Sequence, residues 1–188
     1  QPDTIEGLKP LYAAIIHGCM AGLAKEARSK IYRDRILRGT DGFGAFYSWK
    51  RLGAYSSNLQ VLSCFFHQPW IEFSSSIPRF ARGWILNEVA MQLSGLGRIS
   101  EALQAMRLAL SFTRQSKNVA VFNANLAEIE ILLGDLAAAS KHGKSGIVAA
   151  IRFKEWTRIC NTLAITAMTY LERGLWSEAQ RHFIGAKK

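Results

Sequence analysis

Glycine recurs at positions 97, 134 and 174, and each time it closes the same short sentence. "LNEVAMQLSGLGRISEALQAM" is followed by "NANLAEIEILLGDLAAASKHG" and then by "LAITAMTYLERGLWSEAQRHF". Each is a helix-periodic run, a Gly, an apolar residue two places on and an Ala three further along, at spacings of 37 and 40 residues. In the first, Leu86, Val89, Ala90, Leu93 and Leu96 precede the Gly97 break, and Ala102, Leu103, Met106, Ala109 and Leu110 follow it with the same gaps of three and four. A repeat of this period constrains the fold strongly, because one amphipathic helix pair cannot bury its apolar face alone and must stack on its neighbour. The expectation is an all-α fold of antiparallel helical hairpins stacked in a row, with units at about 81–117, 118–154 and 155–188.

The letters of the sentence have physical roles. Gly ends the first helix in the left-handed region that it enters at least cost. Ser100 and Ser177 are placed to cap the second helix, and Glu101 and Glu178 suit the positive end of its dipole. Ala102, Ala139 and Ala179 let the paired helices approach closely. Residues 1–80 read more loosely, as divergent helical hairpins. "LKPLYAAIIHGCMAGLAKEA" and "ARSKIYRDRILRG" suggest two helices and "SWKRLGAYSSNLQVLSCFF" a third, with "GTDGFG" a break between them. Positions 67–80 read as an ordered loop that would otherwise expose Trp70, Ile71 and Phe73. A soft boundary falls near Ile77 to Ala81. Gln1 at the start, and Lys188 inside a helical pattern, suggest a segment of a longer protein.

Hydrophobic residues at 49% and charged ones at 20% describe a folded chain rather than a disordered one. No signal-peptide pattern and no apolar run near 18 residues occurs, so a soluble cytoplasmic protein with no membrane contact is the expectation. Cys19, Cys64 and Cys160 are odd in number and set among apolar neighbours, which suits reduced thiols. The net charge of +10 is confined to two blocks: residues 25–51 carry +5 and residues 141–188 carry +6. Such blocks attract acidic partners, whether nucleic acid or a neighbouring domain.

The three repeated sentences resemble tetratricopeptide repeats. The match runs through Ala90, Leu93, Gly97, Glu101, Ala102, Met106 and Ala109 in the first, and through Ala167, Tyr170, Gly174, Trp176, Glu178, Ala179, Phe183 and Ala186 in the third. The middle unit matches at Leu126, Ala127, Gly134, Leu136 and Ala139, but has Gly143 and Gly146 where the family prefers an aromatic and an alanine, which implies a weaker second helix. "PLYAAIIHGCMAGLAKEARSKIYRDRILRG", "KRLGAYSSNLQVLSCFFHQPW" and "ILNEVAMQLSGLGRISEALQAMR" together look like the C-terminal helical-repeat region of large bacterial signal-transducing (STAND-type) ATPases, with "GTDGFGAF" as an insertion. The resemblance implies a right-handed superhelix of TPR-like hairpins. It also implies a non-catalytic role in sensing or protein binding within a signalling protein, without ATPase activity or cofactor, since the nucleotide-binding parts of that group lie upstream of the repeats.

Candidate chemistry is sparse. "HGKSG" at 142–146 ends like a phosphate-binding loop, but the required earlier glycine would fall at Ala138, no strand precedes it, and a helix would consume its amides. "GTDGFG" has the wrong glycine order for a dinucleotide fingerprint. His17 and Cys19 project about 200 degrees apart on a helix. Cys64 and His67 could share a face, yet two ligands do not make a zinc site, and His142 and His182 have no sequence neighbours to pair with. Glu128 and Glu130 point to different sides of a helix, so no catalytic carboxylate pair stands out. Trp176 takes a packing position in its repeat and reads as core.

In arrays of the resembled kind the first helix of each hairpin lines the concave side. Alignment to the repeat then implies a partner-binding groove at Trp84, Asn87, Glu88 and Met91, at Val121, Asn125 and Glu128, and at Asn161 and Met168, with Ala124, Ala164 and Ile165 among them. Asparagine amid apolar neighbours suits a peptide ligand, because its amide both donates to and accepts from a backbone. The Lys and Arg set that clamps a terminal carboxylate in some relatives of that fold is missing from these positions. The alternative is a basic surface that binds nucleic-acid phosphates through Arg28, Arg33, Arg35, Arg38, Lys50 and Arg51.

Overall fold

A computed structural model describes residues 1–40, 45–113 and 118–187. Helix accounts for 73% of the chain, so the fold is all-α, with one short hairpin of strands. Two compact units divide the chain between Gly97 and Arg98. That division falls inside the first repeated sentence rather than before it.

In the first unit, α1 (Ile5–Met20) starts at Thr4, whose hydroxyl accepts the Gly7 N–H at 3.1 Å. Pro10 lies within this helix and removes one bond from its ladder, that to the Glu6 carbonyl. A three-residue turn, α2 (Ala24–Glu26), runs into a π-helix over Ala27–Ile36, which the apolar spacing does not announce. The predicted third helix is two short ones, α3 (Tyr47–Lys50) and α4 (Tyr55–Ser63), because Gly53 turns the chain between them at φ +64°. The expected loop at 67–80 contains an antiparallel hairpin, β1 (Phe66–Gln68) and β2 (Glu72–Phe73), closed by Phe66 and Phe73 stacked at 4.3 Å. α5 (Arg79–Gly95) completes the unit over a core that includes Leu8, Ile15, Tyr32, Ile36, Leu62, Phe65, Ile85 and Leu93. Of the "GTDGFG" break, positions 41–44 lie outside the described residues.

The second unit is a run of five helices: α6 (Ile99–Ser111), α7 (Val119–Leu132), α8 (Leu136–Arg152), α9 (Trp156–Glu172) and α10 (Trp176–Lys187). Each packs on the next, and α7 also packs on α9. Ala124, Ala127, Ala139 and Ile165 form a buried knot where α7, α8 and α9 meet.

Gly97, Gly134 and Gly174 all adopt φ between +72° and +76°, the left-handed region that glycine enters at least cost. After Gly134 and Gly174 the chain reaches back, Asp135 N–H to the Glu130 carbonyl and Leu175 N–H to the Tyr170 carbonyl, both at 2.9 Å, which satisfies carbonyls that the helix end would leave bare. Two expected caps are not caps. α6 already includes Ser100 and α10 already includes Ser177, so their hydroxyls lie inside the first turn, while Asp135 caps α8 by accepting the Ala138 N–H at 3.0 Å.

α8 is continuous for 17 residues through both glycines. Those glycines serve packing. A Cβ on Gly143 would stand 2.6 Å from Thr166 Oγ1, and one on Gly146 would stand 2.7 Å from Thr162 Cγ2. Their missing side chains let α9 sit close against α8, a gain in contact that offsets the poor helix propensity of glycine.

Candidate functional site

The groove residues expected on α5 are not on an open surface. Asn87 and Glu88 are buried, Glu88 at 1% exposure, while Trp84 and Met91 are half-buried. The N-terminal layers cover this side of α5. Tyr32 of the π-helix meets the Trp84 ring edge-on at 6.0 Å, the Arg28 guanidinium lies 5.7 Å from the same ring, and Tyr55 presses against Gly95. Burial pushes the Glu88 carboxyl up to about 8, only partly opposed by the Asn87 amide at 3.4 Å, the Lys50 charge and the Trp49 N–H. Beside it Asn58 is the hub of a polar network: it accepts from the Tyr12 hydroxyl at 2.8 Å and donates to Ser48 Oγ and Gln92 Oε1. This constellation orders the interior of the unit.

The six candidate phosphate contacts do not form one free row. Arg28 is half-buried on Trp84. Arg33 is paired with Asp34 at 2.7 Å. Arg38 is held by Asp3 at 2.7 Å and by the Pro2 carbonyl, with its guanidinium 3.4 Å from the Tyr47 ring centre. Lys50 lies over the Phe46 and Trp49 rings, and Arg35 and Arg51 are exposed.

In the second unit the expected positions divide: Ala124 and Ile165 are buried, and the others are exposed or half-exposed. Val121, Asn125 and Glu128 recur along α7 at steps of four and three, with Leu132, which is not among the expected positions, a further four on; Asn161, Ala164 and Met168 recur along α9 at steps of three and four. All are exposed or half-exposed, with Leu132 at 59% and Met168 at 47%. Between the stripes Ala124 and Ile165 are buried where the two helices touch, and α8 closes the opposite side through Gly143 and Gly146. Two stripes thus flank one seam. Glu128 is open to solvent, yet the atoms around its carboxyl disfavour its charge and raise its pKa.

Two residues further on, Glu130 points the other way and is buried. Its carboxylate meets His142 Nδ1 of α8 at 2.7 Å and faces Arg107 of α6 at 3.9 Å. Sequence reasoning had no means to join these three, which lie 12 and 23 positions from one another. His182, likewise without a sequence neighbour, stacks on Tyr170 at 5.2 Å, and burial holds its imidazole below the usual histidine value. Trp176 is not core. It is 71% exposed and lines a cavity of about 410 Å³ with Leu171, Gln180, Phe183 and Ile184, because α10 packs chiefly on α9 and leaves its other side open.

The cysteines are reduced and half-buried; burial, with a smaller push from Cys64, holds the Cys19 thiol up at about 12. Among the described residues no three His, Cys, Asp or Glu side chains converge to hold a metal ion, and no helix is long and apolar enough to cross a membrane. Compared with models of known protein families the chain matches none, and no curated protein resembles it significantly.

Proposed function

We propose that the chain is a tetratricopeptide-like interaction module, non-catalytic in itself, that receives a protein or peptide segment on the open face of α7 and α9. The observation that carries this reading is the pair of solvent-facing stripes on two touching helices, which combine the exposed Asn161 amide with exposed Leu132 and Met168. Exposed apolar side chains beside polar anchors are the recipe for a helix or extended segment laid into a groove. The capped glycine turns support a hairpin repeat in the same helices. A role within a larger bacterial signalling protein follows from the resemblance of the repeats, and such a module would work in the cytoplasm.

The nucleic-acid alternative is less favoured because Arg33 and Arg38 are committed to carboxylates and Arg28 to a tryptophan ring. Selection of random 12-residue peptides on the full chain tests the reading. Retained peptides should lose at least about tenfold in affinity to the Met168→Arg and Asn161→Arg variants, since each places a long charged side chain on the seam. Peptides retained equally by both variants would place binding elsewhere. Binding of duplex DNA that collapses between low and moderate salt, with no peptide retained, would favour the alternative.

A further inference from the structure

The second unit is strongly cationic, with 13 Lys and Arg against seven Asp and Glu over residues 98–188. Five of those seven acids have local work. Glu101 pairs with Arg98, Glu155 with Arg158 and Glu178 with Arg181; Glu130 is held by His142 and faces Arg107; Asp135 caps α8. The two that remain, Glu128 and Glu172, have no ion pair among the described residues, and both belong to the open stripes, Glu172 lying one turn beyond Met168. Arg158, one turn before Asn161, is the described cation nearest the stripes, and it is held by Glu155 at 3.2 Å and by the Asn118 amide oxygen at 3.4 Å. With a cation surplus in the same unit, the pairing of every acid off the face and of neither acid on it leaves a negative strip on a positive body. At Glu128 the ion is also crowded by neighbouring atoms, and a partly desolvated, unpaired carboxylate gains most from an incoming cation. One turn along α7, Leu132 is exposed, and Met168 of α9 is exposed across the seam.

Resting on the reading of this face as a peptide-binding surface, we infer that its occupant is a basic segment. A Lys or Arg of that segment meets Glu128, and an apolar neighbour settles on Leu132 and Met168. Asn161 fixes the segment's backbone, Glu128 its charge, and the exposed thioether adapts to the apolar side chain. Duplex DNA is disfavoured here, because its phosphates would meet the two unpaired carboxylates.

The test uses the peptides retained by the full chain from the random 12-residue selection. They should be enriched in Lys or Arg next to an apolar residue. Synthetic versions with each cation changed to Gln should bind about tenfold more weakly, as should the originals to Glu128→Gln. Glu128→Lys should instead prefer versions with Glu at the cationic positions. Helical circular dichroism and melting of the variants should match the parent, since Glu128 holds no partner among the described residues. Retained peptides that are neutral or acidic, or that bind Glu128→Gln as well as the parent while still being lost to Met168→Arg, would overturn the basic occupant and leave the peptide face intact. Retention that no face variant alters, or no retention at all, would overturn both. Duplex DNA that binds the face more tightly after Glu128→Gln would also overturn the inference.

Discussion

Glu88, Glu128 and Glu130 are one side chain in three settings. Glu88 is buried, and the Asn87 amide and the Lys50 charge only partly offset the loss of water, so its neutral form is favoured and its pKa is about 8 against an ordinary 4.5. The unfolded chain releases that proton first, so folding stability is greatest below pH about 4.5, falls as pH rises towards 8, and levels off above it. Urea midpoints should therefore drop between pH 5 and 8 by the equivalent of a few kcal/mol more in the parent than in Glu88→Gln. A parallel pH dependence in both proteins would show that Glu88 is ionised in the fold. Glu130 is buried as well, but its carboxyl group has partners from two other helices. Glu130→Ala strands the His142 ring nitrogen and should cost about 2–4 kcal/mol by chemical denaturation, against little for Glu128→Gln. The two glutamates were legible from the sequence as facing apart, but not as different in kind, because burial at Glu130 depends on Arg107 and His142 arriving from other helices. Glu88 was misplaced by the same limit: helical spacing gives a face, and only the packing of Tyr32, Trp49 and Tyr55 says that this face is closed.

At the scale of the element, glycine does two unrelated jobs. Gly97, Gly134 and Gly174 turn the chain at positive φ with open space around them, so Gly134→Ala should cost about 1 kcal/mol through backbone strain alone. Gly143 sits in a helix interior, where alanine would ordinarily stabilise by up to about 1 kcal/mol. Here the added methyl meets Thr166 Oγ1, so Gly143→Ala should lower the melting temperature, while Gly143→Ala combined with Thr166→Ala should recover most of the loss. Additive effects in that cycle would mean that α8 and α9 are not in contact there. The turning glycines were readable because their signal is local and repeats. The packing glycines read as faults, since the threonines that need them come 16 to 23 residues later. The π-helix and the split of α3 from α4 left no periodic trace for the same reason: each answers to its neighbours rather than to its own propensities.

For the whole molecule, the chain is two compact units, and the second has its own buried knot at Ala124, Ala127, Ala139 and Ile165. A fragment covering residues 98–188 should therefore give a helical spectrum and a cooperative melt, and a spectrum typical of an unfolded chain would mean that its core is incomplete. The all-α class and the order of helices in this half were open to sequence reading, while the division at Gly97 was not, because the first repeated sentence is spread over both units. The Glu130 side chain has one more consequence, for how this run of helices can change over generations. Its partners come from the helix before and the helix after its own, so α6, α7 and α8 share a single carboxyl group. An insertion or deletion between α6 and α7 would carry that group away from Arg107, and one between α7 and α8 would part it from His142. Added helices should therefore be tolerated beyond α8, leaving the first three helices of this unit to be inherited as a block.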